Sequence, residues 1–268
     1  MRAIAGLAAL VMVLGACGGE GGTASSDRAA VTPSAPATPT PVTSPPAPAS
    51  SPAATPTTRP VSKGPNLSGC YTKADGKIFT YGKEDLPGVV MGKGSTGAVI
   101  SYERGGNACT WRPLADRLVS SGYRVLLYAR DLVAIPSDNI AAMAKRLGKE
   151  RGVKRLFLVG GSVGGLMSVT AALELDGEVA IAGVVDLAGP PDPAETARLT
   201  VPLLQITAEN DGRVPQGMKT AHDAATRAPD RQFVVIEGES SHASWLFDTP
   251  HGPQVLDTIT TFMDRHRA

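Results

Sequence analysis

Two hydrophobic periods alternate along this chain from about residue 97 onward. Short apolar runs rich in β-branched residues come first: Gly97-Ala98-Val99-Ile100, Arg124-Val125-Leu126-Leu127, Leu156-Phe157-Leu158-Val159 and Ile181-Ala182-Gly183-Val184-Val185. Val201 to Ile206 and Gln232 to Ile236 continue the series. Runs this apolar, bounded by Gly, Pro and Asp, are expected of strands buried on both faces. Between them lie longer stretches in which apolar residues recur every three or four positions, the mark of helices with one buried face. The pattern predicts strands over 77–84, 87–91, 97–102, 123–129, 154–159, 181–186, 202–207 and 232–237. It predicts helices over 111–121, 138–150, 163–175, 193–199, 215–227 and 253–266. Strands alternating with helices imply an α/β fold, a mostly parallel sheet with helices on both faces. The first two strands, joined by a short turn, fit an antiparallel edge.

The pattern fails in the first quarter of the 268 residues, and composition explains why. Residues 1–16 carry Arg2 and then the apolar run Ala3 to Leu14, too short to span a bilayer and read as a secretory signal. Leu14-Gly15-Ala16-Cys17 resembles the bacterial lipoprotein signal, which implies lipidation of Cys17; an ordinary cleaved signal with an incidental cysteine is the alternative. Residues 17–67 are dominated by Pro, Ala, Thr and Ser. A stretch with so few large apolar residues cannot offset its conformational entropy by burial, and is expected to be a disordered tether. Its prolines favour extended chain, with a reach on the order of 100 Å. Residues 68–268 form the folded domain in this reading. The formal charge of +1 argues against a nucleic-acid partner.

Candidate chemistry centres on Gly160-Gly161-Ser162-Val163-Gly164, set between a predicted strand and a predicted helix. A serine on such a turn has its hydroxyl pushed out of the sheet edge, and the helix N-terminus leaves free N–H groups beside it. A tight Gly-rich turn with no chemistry gives the same pentapeptide. A nucleophilic serine needs a base, and the base needs an acid to orient it. Of the four histidines, His222 falls within a predicted helix, His251 starts the last helix and His266 lies in a basic tail. His242 follows a predicted strand in a small polar loop and is the preferred base. Asp211, in the loop after Val201 to Thr207, is the preferred acid; a plain turn aspartate is the bland reading, and Asp186, one strand earlier, competes with it.

The order Ser162, Asp211, His242, each at the carboxyl end of a strand, resembles the α/β-hydrolase family over roughly residues 76 to 266. Ala208-x-x-Asp211-x-x-Val214-Pro215 and Thr110 to Leu118 carry the same likeness. The resemblance implies an eight-stranded, mostly parallel sheet, a Ser162–His242–Asp211 triad and an oxyanion hole built from the backbone N–H of Val163 and Arg104. One element departs: where the family usually has His-Gly before the first helix, this chain has Tyr102-Glu103-Arg104-Gly105-Gly106-Asn107. The short span from Asp186 to Val201 leaves no room for an inserted cap, which is similar to compact, dienelactone-hydrolase-like members. With Cys17 lipidated, Cys70 and Cys109 are left as an even pair for an oxidising compartment, either bridged or as two separate thiols. No metal-ligand spacing surrounds them, and no cofactor is implied. The expected protein is a monomeric serine hydrolase of small-molecule or envelope esters, lipid-anchored on the extracytoplasmic face of the cell membrane. A non-catalytic envelope-binding protein of the same fold and an acyltransferase using the same triad are the alternatives.

Overall fold

The computed structural model describes residues 67–268; the signal segment, Cys17 and nearly all of the tether lie outside the described residues. Eight strands form one sheet: β1 (Lys77–Tyr81), β2 (Leu86–Met91), β3 (Thr96–Ser101), β4 (Arg124–Tyr128), β5 (Arg155–Gly161), β6 (Ile181–Leu187), β7 (Leu203–Ala208) and β8 (Arg231–Ile236). Their order across the sheet is β1-β2-β4-β3-β5-β6-β7-β8. β1 and β2 pair antiparallel, as does β2 with β4, and every later pairing is parallel. β1 stops at Tyr81, short of the expected 84, because Gly82 at φ +71° opens the turn.

Six helices cover the sheet: α1 (Arg112–Ser120), α2 (Pro136–Gly148), α3 (Val163–Glu174), α4 (Pro193–Thr196), α5 (Val214–Ala224) and α6 (Gly252–Arg265). Of the expected helix over 193–199 only one turn forms, capped by the Asp192 side chain on the N–H of Ala194. Two 3-10 turns, Ala108–Trp111 and Ala243–Asp248, fall where no regular element was expected.

The strand alternation sorts side chains into two cores. Ala98 and Ile100 of β3, with Phe157 and Val159 of β5, face α1 and α6, where Trp111, Leu114, Leu118, Ile259 and Phe262 are fully buried. Val99, Leu156 and Leu158 face the other way, onto Ile140, Met143, Ala144 and Leu147 of α2 and Val169 of α3. Spacings of three and four residues put the α2 set on one side of its helix. All six residues of β3 and all six of β7 are buried, so the sheet's centre is a rigid support for whatever its carboxyl edge carries. Among the described residues no cap is inserted, and no helix is long and apolar enough to cross a membrane.

Candidate active site

The turn between β5 and α3 is strained. Ser162 sits at φ 52°, ψ −120°, a backbone region that side-chain-bearing residues rarely occupy. It holds because neighbours over-determine it. Its N–H donates to Leu187 O at 2.8 Å, and its carbonyl accepts from Leu166 N–H at 2.9 Å. The flanking glycines are required by contact: a Cβ on Gly164 would come within 2.0 Å of Ser101 O, and one on Gly160 within 2.4 Å of the Gly164 backbone. α3 thus crosses β3 and β5 so closely that only hydrogen fits. Val163, the first residue of α3, has no intrahelical acceptor for its N–H, so this donor is left at the serine's side.

β7 ends at Ala208 and α5 begins at Val214; the loop between them presents Asp211. His242 lies six residues beyond the end of β8, by the numbering of strand and residue. Its loop is fixed by two carboxylates: Glu209 accepts from Gly238 N–H at 2.8 Å, and Glu239 accepts from Ser240 N–H at 2.7 Å and Ser241 N–H at 2.9 Å. These bonds hold the Glu239 carboxyl below its usual range. The structure brings Asp211 and His242 together, Oδ2 to Nδ1 at 2.6 Å, with side-chain exposures of 16% and 25%. A carboxylate on Nδ1–H fixes the tautomer that leaves Nε2 free to accept a proton. Among the described residues, no hydrogen bond joins the imidazole to Ser162 Oγ. Such contacts often tighten only once substrate is bound.

Asp186 is not His242's partner. It lies within β6, fully buried, accepting from Gly189 N–H at 3.0 Å and from Gln205 Nε2 at 3.3 Å. Burial pushes its carboxyl well above the ordinary range despite those two donors. His222 is on α5, His251 precedes α6 and His266 pairs with Asp230 at 2.8 Å; among the described residues none of them is hydrogen-bonded to Asp211 or His242.

The Tyr102–Asn107 turn stands where the family usually has His-Gly. Arg104 is exposed with no positive φ; the left-handed position falls one residue later, on Gly105 at φ +82°. Among the described residues the Arg104 N–H has no backbone partner.

Glu103, to which sequence reasoning gave no role, anchors this turn. It is fully buried and accepts from Trp111 Nε1 at 2.8 Å, from Thr110 Oγ1 at 3.3 Å and from Ser244 Oγ. Its Oε2 lies 3.0 Å from where a Gly161 Cβ would be, against the serine turn itself. One carboxylate therefore ties the Arg104 turn to the start of α1 and to the segment after His242.

Cys70 and Cys109 are joined as a disulfide, which fastens the Leu67–Tyr71 turn to the 3-10 turn ahead of Trp111. No cluster of three His, Cys, Asp or Glu that could hold a metal occurs among the described residues.

Comparison with known proteins bears on the fold and the family. No curated protein sequence matches the chain. Among solved structures, a dienelactone hydrolase from Anabaena variabilis superposes with a TM-score of 0.60 at 21% identity, over 72% of this chain and 97% of that one. An esterase from Pyrococcus furiosus gives 0.61 at 16% identity, over 76% and 99%. A monoacylglycerol lipase from Paleococcus ferrophilus gives 0.59 at 14%, over 68% and 99%. At these identities the likeness is one of fold. Residues 98–261, more than half of the chain, match the description Alpha/beta hydrolase family. A strained serine at the sheet edge, the topology around it and that match agree: the chain belongs to the α/β-hydrolase family.

Proposed function

We propose that this hydrolase is a serine esterase, exported and held at the extracytoplasmic face of the membrane by a lipid on Cys17. The observation that carries the catalytic reading is Ser162 in a left-handed backbone between two glycines that contact alone requires. Proteins retain strain of about 1–3 kcal/mol where position matters more than stability. The Asp211–His242 pair supports the same reading, since a carboxylate on Nδ1 is what a base toward Ser162 needs.

In this mechanism Ser162 Oγ attacks the ester carbonyl carbon while His242 Nε2 takes its proton. The carbonyl π electrons move onto oxygen, and the N–H groups of Val163 and Arg104 stabilise that oxyanion; removing one such donor typically costs about 3 kcal/mol. Collapse breaks the bond to the alkoxy oxygen, which leaves with the proton from His242. Water, deprotonated by His242, then attacks the acyl-serine, and the acid and Ser162 are released. Asp211 stabilises the imidazolium in both halves without taking the proton.

A fluorophosphonate probe tests this directly. The protein should be labelled once, and Ser162→Ala should abolish labelling; an unlabelled, well-folded parent would favour a non-catalytic envelope-binding role. Anchoring rests on Leu14-Gly15-Ala16-Cys17 and is tested separately. Cys17→Ala should move the protein from the membrane fraction to the soluble or unprocessed pool, and membrane retention after correct cleavage would refute it.

A further inference from the structure

β3 to β8 run parallel, so all of them begin on one edge of the sheet and end on the other, where Ser162 and His242 lie. Charge divides between the two edges, although the whole chain carries only +1. The loops that follow β6, β7 and β8 carry Asp192, Glu209, Asp211, Glu237 and Glu239 against Arg213 alone. At the amino edge the balance reverses. Arg124, Arg155 and Arg231 open three of the strands. Arg151, Lys154, Arg198 and Arg227 stand in the segments leading into β5, β7 and β8.

These cations form one broad surface. Lys145, Lys149, Lys154 and Arg155 line a groove that shares Glu178, Val179 and Ala180 with a second groove, and the second carries Arg198 and Arg227. Arg155 also lines a third, which reaches Arg265. The Arg124 guanidinium donates to Arg151 O at 2.9 Å and to Lys93 O at 3.1 Å, joining the Lys93 turn to the same face. Most carboxylates of this edge are already paired. Glu150 meets Lys77 at 3.6 Å, Glu178 meets Lys145 at 2.7 Å, Asp264 meets Arg267 at 2.9 Å and Asp230 meets Arg265 at 3.2 Å. Among the described residues Asp176 has no such partner, and neither have Arg151, Lys154, Arg198 and Arg227, all four of them exposed.

Helix ends account for part of the pattern, since cations are favoured in the last turn, as with Lys145 and Arg146 of α2 and Arg265 of α6. Arg151, Lys154, Arg198 and Arg227 lie outside every helix. Like charges gathered on one face repel one another, and an external counter-charge relieves that repulsion.

We propose that this edge seats the domain on the anionic phospholipid headgroups of the membrane that holds it, with Ser162 and His242 turned away from the bilayer. The inference rests on the membrane location proposed through Cys17 and not on the esterase chemistry. The tether's reach, on the order of 100 Å, lets the domain settle on the surface to which it is anchored. An anionic surface attracts the basic edge and repels the acidic one, so both act in the same sense on orientation. The substrate class follows: esters of the envelope beyond the bilayer, not acylglycerols within it.

The test is sedimentation with vesicles, using residues 17–268 with Cys17→Ala so that neither signal segment nor lipid contributes. This chain should bind vesicles of equimolar phosphatidylcholine and phosphatidylglycerol, and not vesicles of phosphatidylcholine alone. Binding should be lost between about 0.1 M and about 1 M salt, as the screening length falls from about 10 Å to about 3 Å. Arg151→Gln, Lys154→Gln, Arg198→Gln and Arg227→Gln together should weaken it about 600-fold, roughly fivefold for each charge. Lys83→Gln, Arg104→Gln and Arg213→Gln, at the opposite edge, should change it little. Both tryptophans, Trp111 and Trp245, lie beyond strand ends on the Ser162 edge, so brominated lipid chains should leave the bound protein's fluorescence unquenched.

No binding, equal binding to both vesicles, or an unchanged affinity in the quadruple variant would overturn the proposal. Quenched tryptophans would overturn it too, by turning the Ser162 edge toward the bilayer. Binding to soluble polyphosphate without binding to anionic vesicles would make the partner an anionic polymer and overturn the membrane assignment. Because the vesicle assay bypasses Cys17, a failed anchor is read from cell fractionation and a failed surface from the vesicles.

Discussion

Replacing both Cys70 and Cys109 by serine separates what the disulfide does for the fold from what it does for the site. The bridge spans 39 residues of sequence. A cross-link closing that loop removes about 13 cal/mol/K of entropy from the unfolded chain, or about 4 kcal/mol at 25 °C. For a domain of this size each kcal/mol moves the midpoint by about 2–4 °C, so the double variant should melt roughly 8–16 °C lower. Activity at 25 °C should barely change. The turn ahead of α1 keeps its other ties, because Glu103 is still held by Trp111 and Ser244, and Arg112 still reaches Cys70 O and Asp75. Leu67 and Tyr71 also remain fully buried against the α1 side of the sheet. The assay is thermal and urea unfolding without added reductant, which keeps the parent's bridge intact, read beside kcat/KM on a short ester. The urea slope should rise as well, since the unfolded chain expands once the cross-link is gone. An unchanged midpoint would refute the entropic argument. Lost turnover at 25 °C with stability intact would mean that the bridge sets the geometry of the Arg104 turn.

Three further outcomes follow from the serine turn and its surroundings. Ser162→Gly should stabilise the protein by about 1 kcal/mol while abolishing probe labelling, because glycine relieves the positive φ but adds freedom to the unfolded chain; equal or lower stability than Ser162→Ala in urea would contradict the strain. Asp211→Asn should lower kcat about 10⁴-fold by holding the imidazole in the wrong tautomer, with labelling slowed in parallel; a larger loss in Asp186→Asn would move the acid one strand earlier. Asp186→Asn should instead act on stability. The buried Asp186 carboxyl holds its proton more tightly folded than unfolded, so the stability this gives is full below the ordinary carboxyl value of 3.8 and is lost as pH rises through the higher native value. The asparagine variant escapes that loss, and thermal midpoints from pH 3 to 8 should show its advantage growing above about pH 4. A pH-independent difference would show that Asp186 does not titrate differently on folding.

What the chain reveals in one dimension divides along a physical line. Strands buried on both faces and helices buried on one leave a period that each segment carries by itself, which is why β3 to β8 were legible from Gly97 onward. The Gly160–Gly164 turn was legible for a related reason: a contact that excludes a Cβ must be written as glycine, whatever lies across it. The one-turn α4 was overread because apolar residues after Pro193 mimic helical spacing, while Leu199 and Val201 are drawn into the sheet-side core. Glu103 marks the other side of the line. Its partners Trp111 and Ser244 stand 8 and 141 residues away, and only the folded sheet brings the second of them near. A buried carboxylate met by three donors is indistinguishable in sequence from a surface glutamate, since the compensating groups are supplied by topology and not by spacing. The same holds for the Leu132–Ile135 loop. Hydrophobic residues in sequence argue for burial, and only the packed structure shows that Leu132, Val133 and Ile135 stay exposed while the apolar residues of α2 just after them are buried.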